Sequence, residues 1–299
     1  MNEPLIFLSN DDFGRPALEA LIAQKYNIDA VITKPDRPVG RGLTVTSSSI
    51  KVIAESNNIK LLQPAKINEI KSELKTIQPV LGILISYGAI IPSEIIEIFP
   101  LGIINIHPSL LPKYRGPSPI ETVILDNANE TGVSLMKLTN GIDAGPIYDQ
   151  IKLKLNGAET SRDLYEALSK IGAQILITDL IKLLKQQLKP LPQNDRLATF
   201  CSKIDKTSGI IDWNKPAVII EREIRAYDLW PKSHTKIGHY EVIITAAHVE
   251  KLSGPISKTT IQKNQLIIYC GQDALVIDRL KPAGKGEMLS KDFLAGHHF

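Results

Sequence analysis

Val80-Leu81-Gly82-Ile83-Leu84-Ile85 decides the fold. An almost unbroken apolar run of this length belongs to a strand covered on both faces, the condition of a central strand in a parallel sheet. Ile103-Ile104-Asn105-Ile106-His107 reads as a second such strand, with two polar residues set into it. Toward the N-terminus, Leu5-Ile6-Phe7-Leu8 and Ile28 to Thr33 are further strand candidates. Between them, Pro16 to Lys25 has helical spacing with Leu18, Leu21 and Ile22 on one face. Ser47-Ser48-Ser49 offers a cap to a helix over Ile50 to Ser56. Strands that alternate with helices predict crossover units and an α/β fold. Its sheet is mostly parallel, and ligands bind outside the carboxyl ends of the strands.

Thr160 to Leu188 reads as one long helix. Thr160-x-x-Asp163 resembles a capping box, and Leu164, Leu168, Ile171 and Ile175 form an apolar stripe. The chain then changes character. Lys189-Pro190-Leu191-Pro192-Gln193-Asn194-Asp195 is Pro-rich and polar, a linker pattern. Short alternating segments follow at Glu241 to Thr245, Gln265 to Tyr269 and Leu275 to Asp278, interrupted by Gly238, Gly254 and Gly271. The expected organisation is a catalytic domain over 1–189, a linker over 190–205 and a smaller β-rich, barrel-like domain over 206–299.

Composition excludes several classes. With 43% hydrophobic and 22% charged residues among 299, the chain is neither disordered nor of low complexity. Cys201 and Cys270 are too few for a disulfide framework or a cysteine zinc site, and they read as two inert thiols in a reducing cytoplasm. No metal site is expected. The opening Met-Asn-Glu-Pro carries no basic leader, so no secretory signal is expected. No apolar stretch reaches membrane-spanning length. The net charge is +3. The whole surplus lies after residue 190, a weak pointer to an anionic partner there.

Three segments carry candidate chemistry. Asn105 and His107 are two apart at a strand end, so they share a face. The amide can donate to a developing oxyanion, and the imidazole can move a proton near neutral pH. Asp143 lies between two glycines in Asn140-Gly141-Ile142-Asp143-Ala144-Gly145-Pro146, where its carboxylate is available to an imidazole. Lys34-Pro35-Asp36-Arg37-Pro38-Val39-Gly40-Arg41-Gly42 leaves the second strand as a basic loop, kept out of regular structure by its prolines. Arg37 and Arg41 are its phosphate-reaching candidates. Taken alone, each segment has a plainer reading: a polar strand end, a turn-capping Asp and a solvated loop. Ser9-Asn10-Asp11-Asp12 follows the first strand where a dinucleotide fold would carry G-x-G-x-x-G.

Together the segments are distinctive. Asn105-x-His107, then Ser109-Leu110-Leu111-Pro112, then Gly141-Ile142-Asp143-Ala144-Gly145 resembles the folate-dependent formyltransferases. KPDRPVGRG, Ile211-Asp212-Trp213, Ile224-Arg225-Ala226-Tyr227, Trp230-Pro231 and Lys281-Pro282-Ala283-Gly284-Lys285 are similar to the branch that acts on methionyl-tRNA. The resemblance covers residues from about 5 to 293. It implies a Rossmann-like, mostly parallel N-terminal domain and an OB-like C-terminal barrel with a basic face for tRNA. It implies 10-formyltetrahydrofolate as donor, methionyl initiator tRNA as acceptor and no metal. A cytoplasmic monomer away from any membrane is also implied. In that frame Asn105 donates to the oxyanion, His107 stabilises charge or shuttles the proton, and Asp143 holds His107 or accepts the amine's proton. Ser109, Leu110, Leu111, Pro112, Tyr87 and Gly88 line the folate site. Arg37 and Arg41 enter the acceptor stem.

The sequence departs from the family in places. Ser9 to Gly14 replaces a Gly-Thr-Pro pattern, Lys113-Tyr114 stands where Arg-Trp is frequent, and Leu43-Thr44-Val45 replaces lysines after Arg41. Asp228-Leu229 stands in a stretch that usually reads Asn-Pro. Fewer phosphate-reaching cations imply weaker, less salt-dependent tRNA contacts. The same three catalytic residues also serve enzymes that formylate sugar or purine-precursor amines. A nucleic-acid-binding protein built on a decayed enzyme is a different class, against which the intact three-residue set argues, and a nucleotide-binding α/β regulator is a third, against which the missing phosphate loop argues.

Overall fold

The computed structural model describes residues 3–39 and 44–297, without the side chains of 37–39 and 44–46. The chain forms two compact units. The first comprises Met1–Pro119, Glu130–Lys154 and Tyr165–Cys201, and the second comprises Ile120–Asn129, Leu155–Leu164 and Ser202–Phe299.

The first unit opens with β1 (Leu5–Leu8), α1 (Arg15–Ala23) and β2 (Ile28–Ile32). Pro16 sits at the first turn of α1, where its missing N–H costs nothing, and Ala17, Leu18 and Leu21 are buried. β3 (Arg37–Val39) and β4 (Thr44–Thr46) pair antiparallel as a small ribbon. This corrects the expectation that prolines keep the 34–42 loop irregular. Pro38 pairs opposite Val45, and a two-stranded ribbon has edges that tolerate a residue with no N–H. Next come α2 (Ser49–Ser56), β5 (Lys60–Leu62), α3 (Lys71–Ile77), β6 (Leu81–Leu84), α4 (Ser93–Ile96) and β7 (Ile103–His107). Ser48 caps α2, its hydroxyl accepting from the Lys51 N–H at 3.2 Å.

α5 (Pro119–Leu125) precedes β8 (Glu130–Lys137) and β9 (Ile147–Lys154), and α6 follows over Ser161–Leu184. The sheet order is β5-β2-β1-β6-β7-β8-β9, parallel through β7 and antiparallel for β8 and β9. β6 and β7, the two strands read from apolar runs, lie side by side near its middle. All residues of β1 and β6 are buried, as strands covered on both faces require. Ile6, Leu8, Ile32, Leu84 and Ile103 join one core cluster, each worth about 1.5–3 kcal/mol of burial.

After α6 the Pro-rich stretch stays with this unit. Leu191 exchanges both backbone hydrogen bonds with Ile147 at the start of β9, each 2.8 Å. Thr199 and Cys201 then bond along Arg115, with Arg115 N to Thr199 O at 2.9 Å and Cys201 N to Arg115 O at 2.8 Å.

The second unit contains α7 (Ala217–Ala226), β10 (His234–Ile237), β11 (Tyr240–Glu250), β12 (Thr259–Gln262), β13 (Gln265–Tyr269), β14 (Ala274–Pro282), β15 (Met288–Leu289) and α8 (Ser290–Gly296). Its antiparallel sheet runs β10-β11-β14-β13-β12, with β15 added to β14, a curled half-barrel. Register shifts within β11, between Ile244 and Ala247, supply the bend. α7 buries Ala217, Ile220 and Ile224, spaced three and four apart, against β11.

Thr160 caps α6 within the second unit. Its hydroxyl donates to Asp163 Oδ2 at 2.7 Å, its N–H donates to the same oxygen at 2.9 Å, and its Oγ1 accepts from the Asp163 N–H at 3.2 Å. Thr160→Ala is expected to lower stability by about 1 kcal/mol, read as a lower urea midpoint at unchanged slope.

Candidate active site

β7 brings Asn105 and His107 onto one face at its carboxyl end, 7% and 5% exposed, while Ile104 and Ile106 are buried on the other face. His107 Nε2 lies 2.9 Å from the Tyr114 carbonyl oxygen. A carbonyl only accepts, so Nε2 carries the proton, and Nδ1 is the atom turned toward Asp143 Oδ2 at 3.7 Å. Asn105 Nδ2 makes one long bond, 3.4 Å to Asp143 Oδ1. An amide nitrogen has two N–H groups, so one remains for a ligand oxygen. The structure therefore gathers Asn105, His107 and Asp143 at one strand end.

Asp143 arrives from the loop between β8 and β9. Its own backbone is left-handed, with φ of 45°, and a Cβ on Gly145 would overlap the Lys137 carbonyl oxygen. The Gly116 N–H donates to Asp143 Oδ2 at 2.8 Å and fixes the carboxylate. Gly116 has φ of +119°, and a Cβ there would lie 2.6 Å from the Cys201 carbonyl oxygen. Both glycines answer close backbone approaches.

The turn from Ser109 to Gly116 is built around Ser134 of β8. The Ser134 hydroxyl donates to Ser109 O at 2.6 Å and accepts from Leu111 N at 3.0 Å and Gln150 Nε2 at 2.7 Å. Ser109 is fully buried and spends its hydroxyl on Lys113 O at 2.7 Å. Leu111 is buried, and Leu110 and Pro112 are half-buried. The Tyr87 ring lies in the core cluster, and Gly88 is exposed. The Arg37 side chain and the whole of Arg41 lie outside the described residues.

The unusual Asn10-Asp11 segment ties three neighbouring strand ends together. The Asn10 amide donates to the Tyr87 carbonyl, and its Oδ1 accepts from Lys34 N at 2.7 Å. Asp11 accepts from Phe13 N at 3.0 Å, from Tyr165 Oη at 3.1 Å and from the Ser86 hydroxyl. Burial holds the Asp11 carboxyl above the usual 3.8, against the lowering effect of these donors. Burial and then the Asp11 charge push the Tyr165 phenol upward, so it stays a neutral donor. At the root of the basic loop, Asp36 pairs with Lys51 at 2.5 Å, and Gln63 Nε2 bonds Lys34 O at 2.9 Å. Sequence reasoning missed Gln193, whose amide bonds two backbone carbonyls of the Asp143 loop and so leaves no side-chain motif, and Arg115, which bonds Gln193 Oε1 and Asp195 Oδ1.

Among the described residues no group of three or more His, Cys, Asp or Glu side chains is arranged for a metal, and no helix is long and apolar enough to cross a membrane. Cys201 and Cys270 are buried thiols that are not joined in a disulfide.

Residues 5–180 match the formyl transferase family, and residues 203–298 match the formyl transferase C-terminal domain. The chain belongs to the formyl transferase family. A methionyl-tRNA formyltransferase of Pseudoalteromonas translucida is 36% identical to this transferase over 99% of the chain and 95% of its own length. One from Halalkalibacterium halodurans is 37% identical over 98% of the chain and 94% of its own. Among solved structures, an N-formyltransferase from Helicobacter canadensis, in complex with folinic acid and dTDP-3-aminofucose, shares the fold. It has a TM-score of 0.69 at 23% identity, over 93% of this chain and 98% of that one.

Asp11 gives this site a pH signature. A carboxyl whose folded pKa is raised contributes its stability while protonated, fully below 3.8, and loses it as pH rises through the folded value. Asp11→Asn is therefore expected to gain melting temperature relative to the parent as pH rises from about 3 to 7. A difference that is constant over that range would show that Asp11 ionises as freely folded as unfolded.

Proposed function

We propose that this transferase moves the formyl group of 10-formyltetrahydrofolate to the α-amine of methionine esterified to initiator tRNA. The folate is a substrate, spent in each turnover. One observation carries the reading: an amide donor, an imidazole with its free nitrogen turned inward and a carboxylate meet at the end of β7. That donor set suits addition to a carbonyl carbon, where negative charge appears on oxygen and a proton must leave nitrogen. The full-length likeness to methionyl-tRNA formyltransferases supports the choice of acceptor.

The chemistry then follows. An esterified amino acid has a less basic amine than the free one, so a useful fraction is neutral near pH 7. The amine nitrogen bonds to the formyl carbon, and the charge placed on the formyl oxygen takes a hydrogen bond from Asn105 Nδ2. The amine's proton passes to His107 Nδ1, where the Asp143 carboxylate at 3.7 Å stabilises the imidazolium. The bond from the formyl carbon to the folate nitrogen breaks, and His107 returns the proton to that nitrogen. Atoms and charge balance without a further reactant.

Leu110, Pro112 and Gly88 offer the surface for the folate, with Leu111, Ser109 and Tyr87 shaping it from behind. Arg37 and Arg41 are assigned to acceptor-stem phosphates, and the C-terminal surplus of positive charge to the rest of the tRNA. In this reading 1–189 carries the chemistry, 206–299 binds tRNA and 190–205 joins them. All three reacting side chains come from one chain, so a monomer in the cytoplasm suffices.

The test is formylation of methionyl initiator tRNA from 10-formyltetrahydrofolate by the purified full chain. Asn105→Ala is expected to lower kcat by about 100- to 1,000-fold with the KM for tRNA nearly unchanged. No product from the parent with this tRNA, beside formylation of an amino sugar, would move the acceptor to the sugar class.

A further inference from the structure

We propose that Gln193, in the Pro-rich stretch after α6, is a positioning residue for formyl transfer that acts by holding the loop that carries Asp143. The inference rests on the reading of the site as a formyl-transfer centre. Gln193 Nε2 lies 2.8 Å from the Asp143 carbonyl oxygen and 2.7 Å from the Gly145 carbonyl oxygen. Both of its N–H groups are thus used on one turn. Its Oε1 accepts from Arg115 Nε at 3.0 Å and from Arg115 Nη2 at 2.7 Å.

The orientation of the carboxamide follows from chemistry. Carbonyl oxygens accept only and a guanidinium donates only, so nitrogen must face the turn and oxygen the arginine. Arg115 is itself 4% exposed, and its Nη2 also reaches Asp195 Oδ1 at 2.7 Å. The next residue along is Gly116, whose N–H fixes the Asp143 carboxylate at 2.8 Å. Asp143 is therefore gripped at two points, main chain by Gln193 and side chain by Gly116, and Arg115 joins the two grips.

Only glutamine fits this post. Glutamate would keep the acceptors for Arg115 and set an oxygen against two carbonyls. Asparagine is one methylene too short to span both partners. Asp143 holds a left-handed backbone that an L-residue adopts at a cost, so the loop depends on bonds from outside it. A small shift there moves the carboxylate relative to His107 Nδ1, and misplacement of about 1 Å costs up to about 100-fold in rate.

The experiment compares Gln193→Leu and Gln193→Glu in the full chain, alone and combined with Asp143→Asn, with methionyl-tRNA and 10-formyltetrahydrofolate at saturation. Each single variant is expected to lose between about tenfold and a hundredfold in kcat, with both KM values within about threefold of the parent. In the Asp143→Asn background the further loss is expected to stay below about threefold, because the residue acts through Asp143. A kcat within about threefold of the parent for Gln193→Glu overturns the proposal, and so does a loss that multiplies in full on Asp143→Asn. If melting shows that Gln193→Leu does not fold, Gln193→Glu decides, since it keeps the Arg115 bonds. A parent that formylates neither methionyl-tRNA nor an amino sugar overturns the formyl-transfer reading and this proposal together. An active parent beside a normal Gln193→Glu overturns the positioning role alone.

Discussion

The Gly116 N–H donates to Asp143 Oδ2 across 2.8 Å, joining a turn after β7 to a turn after β8. Both turns bend their backbones to make it. Gly116 stands at φ of +119° against the Cys201 carbonyl, and Asp143 is left-handed at 45°. A hydrogen bond to a charged group contributes about 1.5–3 kcal/mol net, and a left-handed L-residue costs about 1–3 kcal/mol. The two nearly cancel. The turn is therefore held by bonds from around it, the two from the Gln193 carboxamide among them, and the 191–201 stretch that carries Gln193 is itself bonded to Ile147 and Arg115.

His107 is the complement of that arrangement. The Tyr114 carbonyl accepts a hydrogen bond from Nε2–H and so settles which nitrogen faces Asp143. The Asp143 carboxylate at 3.7 Å from Nδ1 is too far for a hydrogen bond. The two ring nitrogens thus face different partners: a backbone carbonyl on one side and a carboxylate on the other.

The strands β1, β2, β6 and β7 were legible because burial on both faces leaves an apolar run with little ambiguity. The pairing of Asn105 with His107 was legible because side chains in a strand repeat every two residues. β9 was not, since none of its residues is buried and its apolar positions are spread among charged ones without the continuous run that marks the central strands. α7 was missed because a charged residue, Glu223, sits on the buried face beside Ala217, Ile220 and Ile224 and interrupts its apolar character. The meeting of Asp143 with His107 could not follow from spacing, only from the resemblance, because a long-range contact leaves no period. The Arg115-Gln193 bridge was invisible for another reason: it ends on main-chain oxygens, which every residue has.

α6 begins within the segment 155–164 and continues through residues of the other compact unit. The unit that holds the half-barrel is thus drawn from three stretches of chain, and bonds cross between them. Arg225 Nη1 donates to the Glu159 carbonyl at 3.0 Å, the Leu229 N–H donates to the Ser161 hydroxyl at 3.2 Å, and Arg162 pairs with Asp228 at 3.0 Å. A gene fragment coding for 202–299 would leave these groups without their mates. Lifted out as one continuous piece, the half-barrel would lose these bonds, and it keeps them only where the excursion 155–164 comes with it.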